Sequence, residues 1–271
     1  YVPLLVSRAF LGLSVALVFT SITVVILNLY QGREKNRVMG LRGSANSLGA
    51  AVWPLIGGAL GVVSWHLPFG VYLVGIPIGI LTLISVPDVK RSLEDAGGSV
   101  LSVFRDNPIV FGIYALMLLT NLLLYTNVVF LSEVLEEIGI ETTFQVGLFL
   151  ATMGATAAIT ASQYEKIKEN LDYRNIPPIS FSLWSVGFGL TYLTSSFWTY
   201  GIAVAFFGVG QGLMLPTVML WIGDVVSPSY IGRFSSYLTT FGFLGQFLSP
   251  VVLSPVSETF GPNGVFLAAA T

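Results

Sequence analysis

The sequence predicts an all-α membrane protein, and three observations carry that prediction. Hydrophobic residues fill 54% of the 271 positions and charged residues only 10%, where a soluble domain carries roughly 25% charge. Apolar runs of about 20 residues recur along the chain, each long enough to cross a hydrocarbon core of ~30 Å. The Lys and Arg residues collect in every second connection between those runs. A mean hydropathy of +0.81 and a net charge of −2 fit the same class. With no cysteine, a disulfide framework and a thiolate metal site are both excluded. No phosphate-binding loop, nucleophile triad or metal-ligand cluster is legible, so no enzyme activity, cofactor, metal site or nucleic-acid partner is expected.

Taken in order, the apolar segments run at about 3–30, 40–63, 68–87, 108–132, 143–164, 177–195, 199–222, 234–254 and from about 263 onward. Arg33, Lys35, Arg37 and Arg42 follow the first segment, and Lys90, Arg91 and Arg105 follow the third. Lys166, Lys168 and Arg174 follow the fifth, and Arg233 precedes the eighth. The intervening connections carry no Lys or Arg; they hold Glu133, Glu136, Glu137, Glu141 and Glu258. Because cytoplasmic loops carry the Lys/Arg excess, the basic connections are expected inside a cell membrane that the chain crosses several times. The remaining cation, Arg8, falls within the first apolar segment. An intramembrane charge is costly to keep and marks a functional residue.

The longest polar connection, residues 88–107, contains Ala96-Gly97-Gly98-Ser99 and suits a linker between two helical bundles. It separates residues 1–87, with three segments, from residues 108–271, with six. A shift of 196 residues superposes Gly12 on Gly208, Arg37 on Arg233, Gly49 on Gly245 and Pro54 on Pro250. Two parallel repeats of six helices are a transporter plan. On that plan residues 1–87 are helices four to six of the first bundle, with three helices expected before Tyr1. Residues 108–271 are then helices seven to twelve, the last one incomplete.

The motifs name a family. The first segment reads Ser7-Arg8-Ala9-Phe10-Leu11-Gly12, and the second reads Gly49-Ala50-Ala51-Val52-Trp53-Pro54-Leu55-Ile56-Gly57-Gly58. Further on stand Gly208-Val209-Gly210-Gln211-Gly212-Leu213 with Pro216, Ser227 to Arg233, and Gly245-Gln246-Phe247-Leu248-Ser249-Pro250. In these motifs and their order the chain resembles the major facilitator superfamily, over essentially its whole length and most closely its drug/proton antiporter-like branch. The resemblance implies a two-bundle fold of six plus six helices, here truncated to about nine. It also implies a monomeric secondary active transporter, with alternating access to a central site for a small-molecule substrate.

Within that frame, Arg8 matches the arginine of the fourth helix that faces the cavity and is implicated in proton coupling. Gly49, Pro54, Gly57 and Gly58 match the helix-bend motif of the antiporters, echoed by Gly245 and Pro250. Trp53 departs from it, standing where the family has Gly. Gly49, Gly57 and Gly61 share one helical face, on which a neighbouring backbone is expected to pack closely. The family's cavity-lining helices make Asn121, Tyr125 and Gln211 the neutral candidates for contacting substrate beside Arg8. Asp224 and Arg233 flank one cytoplasmic connection and are a candidate gate. The repeat counterpart of Arg8 is Val204, as expected of a residue kept for function rather than for the fold. Protons are candidate partners and lipid is the solvent, but no Asp or Glu lies deep in any segment, so a proton-carrying carboxylate is expected outside the sequence. Efflux driven by protons is the leading expectation; an uptake symporter or facilitator for a sugar, organic acid or osmolyte, and a non-transporting binding or scaffold protein, stand as alternatives.

Overall fold

The computed structural model describes residues 2–64, 66–85, 104–139, 143–227 and 230–271, so most of the 88–107 linker lies outside the described residues. Every regular element among them is helical: α1 (Val2–Leu29), α2 (Gly32–Val63), α3 (Leu67–Ser85), α4 (Ile109–Glu137), α5 (Thr143–Ser162), α6 (Tyr164–Asn170), α7 (Ile176–Leu193), α8 (Phe197–Val225) and α9 (Ile231–Ala270). Six of these helices are long and apolar enough to cross a membrane. α9 is two helices joined at Gly261, whose φ of 75° and ψ of 169° suit glycine alone, and Pro262 beyond it has no N–H to continue the helical ladder. Counting both parts of α9 and setting aside the short α6, the nine apolar segments each correspond to a helix.

One boundary differs from the sequence reading. The second segment begins near residue 40 by hydropathy, yet α2 starts at Gly32. The first basic connection is reduced to Tyr30 and Gln31, with Gly32 at φ 54° reversing the chain. Arg33, Lys35, Arg37 and Arg42 therefore belong to the first three turns of a helix rather than to a loop. The cause is that hydropathy reports where a helix enters lipid, whereas backbone hydrogen bonds continue into polar sequence.

Residues 109–270 hold the densest core. In α8 every residue from Gly210 to Leu220 is buried, surrounded by α4, α5, α7 and α9. Small residues allow this approach. A Cβ at Gly187 would stand 2.8 Å from the Ala203 carbonyl, and Gly208, Gly212 and Gly245 press equally closely on Met153, Ala157 and Leu118. Trp184 Nε1 donates to the Phe207 carbonyl at 2.9 Å and its ring stacks on Phe207 at 5.1 Å. The α4 residues facing this core recur at helical spacing: Ile113, Tyr114, Met117, Thr120 and Asn121.

The helices before residue 86 are arranged differently. α1 buries only Thr23, Ile26 and Leu27, near its end, and α3 buries no residue. Their apolar side chains are largely exposed among the described residues, Leu83 by 86%. α2 is joined to the later helices by a seam with α5. Gly40 and Gly43 meet Ala161, Ser44 Oγ donates to the Ala158 carbonyl at 2.7 Å, Ser47 and Ala51 meet Gly154, and Pro54 and Leu55 meet Gly147. This is a correction to the expected close-packing stripe. Gly57 and Gly61 have nothing within 4 Å, and the nearest atoms at Gly49 belong to its own helix, the Trp53 ring 3.5 Å away.

The 196-residue shift has a structural counterpart. It carries the end of α1, Leu29, onto the end of α8, Val225, and α2 onto the first part of α9.

Candidate functional site

At the end of the bundle where the basic residues lie, α2 is tied to the helices that follow the linker. Lys35 Nζ contacts Asp224 Oδ1, and Tyr173 donates to Asp224 Oδ2 at 2.6 Å. Arg33 contacts Glu165, and its Nη2 lies 3.0 Å from Glu169 Oε1. These partners hold the fully exposed Arg33 guanidinium above its ordinary pKa, the hydrogen bond to Glu165 most of all. Tyr173 stacks on Trp221 at 5.7 Å and carries Lys168 Nζ 4.0 Å from its ring centre. Burial, then the Asp224 carboxylate, push its phenol up. Asp224 and Arg233 are not brought together. Asp224 takes Lys35 and Tyr173, whereas Arg233 is exposed.

Deeper along α2 lies a residue that the sequence reading had left among the loop cations. Arg42 is largely withdrawn from the surface, and its guanidinium is held by neutral groups. Nη1 donates to Thr23 Oγ1 at 2.7 Å and contacts Met219 Sδ at 3.1 Å and Met39 Sδ at 3.7 Å. Nη2 donates to the Phe19 carbonyl at 3.0 Å, and the Phe19 ring centre is 4.6 Å from Cζ. Beside it a cleft of about 440 Å³ opens between α1 and α2, lined by Ser14, Val15, Val18, Phe19, Ile22, Arg42, Ala45 and Asn46. A signal for Arg42 was present in the chain. Its repeat counterpart is Leu238, a buried core residue, so the fold itself has no need of a charge there.

The other candidates are dispersed. Arg8 is exposed in the second turn of α1, and the 11 residues from it to Phe19 place it about 16 Å along the helix from the Arg42 niche. Asn121 is buried, donates to the Met117 carbonyl at 2.9 Å and accepts from Gln246 Nε2 at 3.0 Å, which joins α4 to α9. Tyr125 is half-buried one turn further on. Gln211 is buried in α8, and its Oε1 has no hydrogen-bond partner among the described residues. Pro54 turns its carbonyl toward Gly147, Gly58 has nothing within 4 Å, and Pro250 is half-buried in α9. Among the described residues no group of His, Cys, Asp and Glu is placed to hold a metal.

Apolar helices of membrane-crossing length, repeated along the chain, define a multi-pass integral membrane protein. The chain belongs to the Major Facilitator Superfamily, whose family model matches residues 1–250. Its fold is similar to the crystal structure of the human organic anion transporter MFSD10 (TETRAN), with a TM-score of 0.77 and 16% sequence identity. That match covers 93% of this chain and 65% of the human one. No curated protein sequence matches the chain significantly.

Proposed function

We propose that this chain is part of a secondary active transporter that moves a small organic solute by alternating access, with proton-coupled efflux as the working mode. The observation that carries the reading is the ionic closure at the basic end. Lys35 and Arg33, before the linker, grip Asp224, Glu165 and Glu169, after it. Pairs with at least one partner open to solvent, as Asp224 and Arg33 are here, are individually weak, about 0.2–1 kcal/mol. Such ties suit a latch that must open in every cycle better than a permanent bond. We place the basic end in the cytoplasm by the Lys/Arg excess, so the latch closes the inner mouth. Arg8, Asn121, Tyr125 and Gln211 are the proposed lining of the pathway.

A second reading, a facilitator that uses no protons, is favoured by one observation. Among the described residues the acidic side chains lie toward helix ends: Asp224, Glu133, Glu137 and Glu258.

The absence of cysteine makes a direct test available. The protein carrying Lys35→Cys and Asp224→Cys is reconstituted in liposomes, and uptake of a panel of radiolabelled organic solutes is measured with and without a proton gradient. Oxidation should stop the flux and a reductant should restore it. Flux that continues at full rate through the cross-linked protein would remove the latch from the mechanism. Dependence on the proton gradient separates coupled transport from facilitation.

A further inference from the structure

We propose that Arg42 heads a binding subsite for a monovalent organic anion, a carboxylate carried on an apolar body, seated in the cleft between α1 and α2. The proposal deepens the transporter reading by naming the chemistry of its substrate, and rests on that reading only to call the ligand a transported one.

Four observations lead there. First, the charge is withdrawn with no counter-charge among the described residues. Lys35, the other well-covered cation of α2, has Asp224; the contacts of Arg42 are a hydroxyl, a carbonyl, two thioethers and an aromatic face. A guanidinium offers five N–H donors, and sulfur is a weak acceptor. A charge held this way is solvated only in part, and burying one costs several kcal/mol unless it is paired. Second, Arg42 lines an adjoining cavity rather than solid protein, and its volume of about 440 Å³ falls in the range of small-molecule sites. Third, the chemistry of the walls is divided. Val15, Val18, Ile22 and Ala45 are apolar, Asn46 supplies an amide, and the Ser14 hydroxyl donates to the Phe10 carbonyl of its own helix at 3.0 Å. Asn46 lies four residues after Arg42, on the same helical face. A planar fork beside an amide matches a carboxylate, which accepts bidentate hydrogen bonds, while the apolar wall takes the rest of the molecule. Fourth, Arg42 lies seven residues after Lys35, about 10 Å along the helix, so an anion held there sits just behind the latch.

Two sources supply this chemistry, a dissolved aromatic acid or a fatty acid arriving from the bilayer. The experiment measures binding of tritiated 2-naphthoate to the purified protein in phosphatidylcholine nanodiscs. Neutral 2-naphthamide and laurate are the competitors. Wild type should bind naphthoate saturably and at least tenfold more tightly than naphthamide. Displacement by laurate assigns the lipid source, and failure of laurate to displace assigns the soluble one. Arg42→Gln should erase the preference for the acid, and Arg42→Lys should retain part of it. Equal affinity for acid and amide, or unchanged naphthoate binding in Arg42→Gln, would overturn the proposal. If Arg42→Gln does not fold, Ala45→Phe decides, because it fills the cleft and leaves the guanidinium in place; undiminished binding in that variant overturns the site. The two readings fail separately. Naphthoate binding without any latch-dependent flux defeats transport alone, and latch-dependent flux of another solute without naphthoate binding defeats the anion subsite alone.

Discussion

Along α2, Gly40, Gly43, Ser44, Ser47 and Ala51 lie against α5, whereas Gly57, Gly58 and Gly61 have no neighbour within 4 Å of where a Cβ would stand. The two stretches have similar composition and belong to one helix. What separates them is the partner. α5 presents Gly154, Ala158 and Ala161 toward the first stretch, and two small-residue faces can approach until their backbones touch. The second stretch also carries Trp53, 48% exposed and folded back over Gly49. Small residues permit a close approach, but the matching face on another helix decides whether it happens.

Substitutions can break this comparison or sharpen it. The largest effect is expected from Gly154→Leu, since even a Cβ at Gly154 would stand 2.7 Å from the Ser47 carbonyl. Overpacking of that kind costs about 1–3 kcal/mol. Gly57→Leu should change the thermal midpoint in detergent by the equivalent of less than about 0.5 kcal/mol. Equal losses in the two variants would mean that both faces are in contact.

The latch comes next. Lys35→Ala removes a pair worth about 0.2–1 kcal/mol and should favour the open end by up to roughly fivefold. The labelling rate of a cysteine placed at Met219, which is buried against Arg42 between α8 and α2, reads this opening, and an unchanged rate would show that the seam alone holds the end shut. A smaller effect is expected from Tyr173. Its phenol is pushed above the ordinary value, so its contribution to the closed end is complete below the usual phenol pKa of about 10 and is lost as pH rises beyond it. The same labelling rate should climb at alkaline pH in the wild type and climb less in Tyr173→Phe. Trp53→Gly should also be mild, within about 1 kcal/mol of wild type and mostly from lost helix propensity. A collapse of the fold would make Trp53 a packing anchor.

The number and order of the helices were legible in the sequence because membrane spans are set by apolar length, a one-dimensional property. Gly261-Pro262 even marks where the last apolar run must break. The seam was not legible, because Gly49 and Gly57 fit a small-residue spacing as well as Gly40 and Gly43 do, and only the position of α5 distinguishes them. Asp224 was a gate candidate on the strength of its place at a helix end, but with Arg233 as its partner. Its partner Lys35 is 189 residues away, a pairing that no local pattern encodes. Arg42 was hidden by its neighbours, since Arg33, Lys35 and Arg37 made it read as the last member of a loop cluster. The apolar run Val38-Met39-Gly40-Leu41 between Arg37 and Arg42 is the local hint that it had already left the surface.

The α2–α5 seam also bears on mechanics. Large interdigitated side chains mesh like gear teeth, so helices joined by them can part but not slip. Glycine, alanine and serine leave shallow ridges, and such a surface behaves like a plain bearing that tolerates rotation and a small axial glide. The bearing runs from Gly40 to Leu55, half the length of α2, so any rocking of α2 on α5 would turn about a line beside it. Parts far from that line travel farthest for a given rotation. α1, tied to α2 by the Arg42–Thr23 hydrogen bond and in contact with α9 where Thr20 lies 3.4 Å from Thr239, would be carried along by such a rotation.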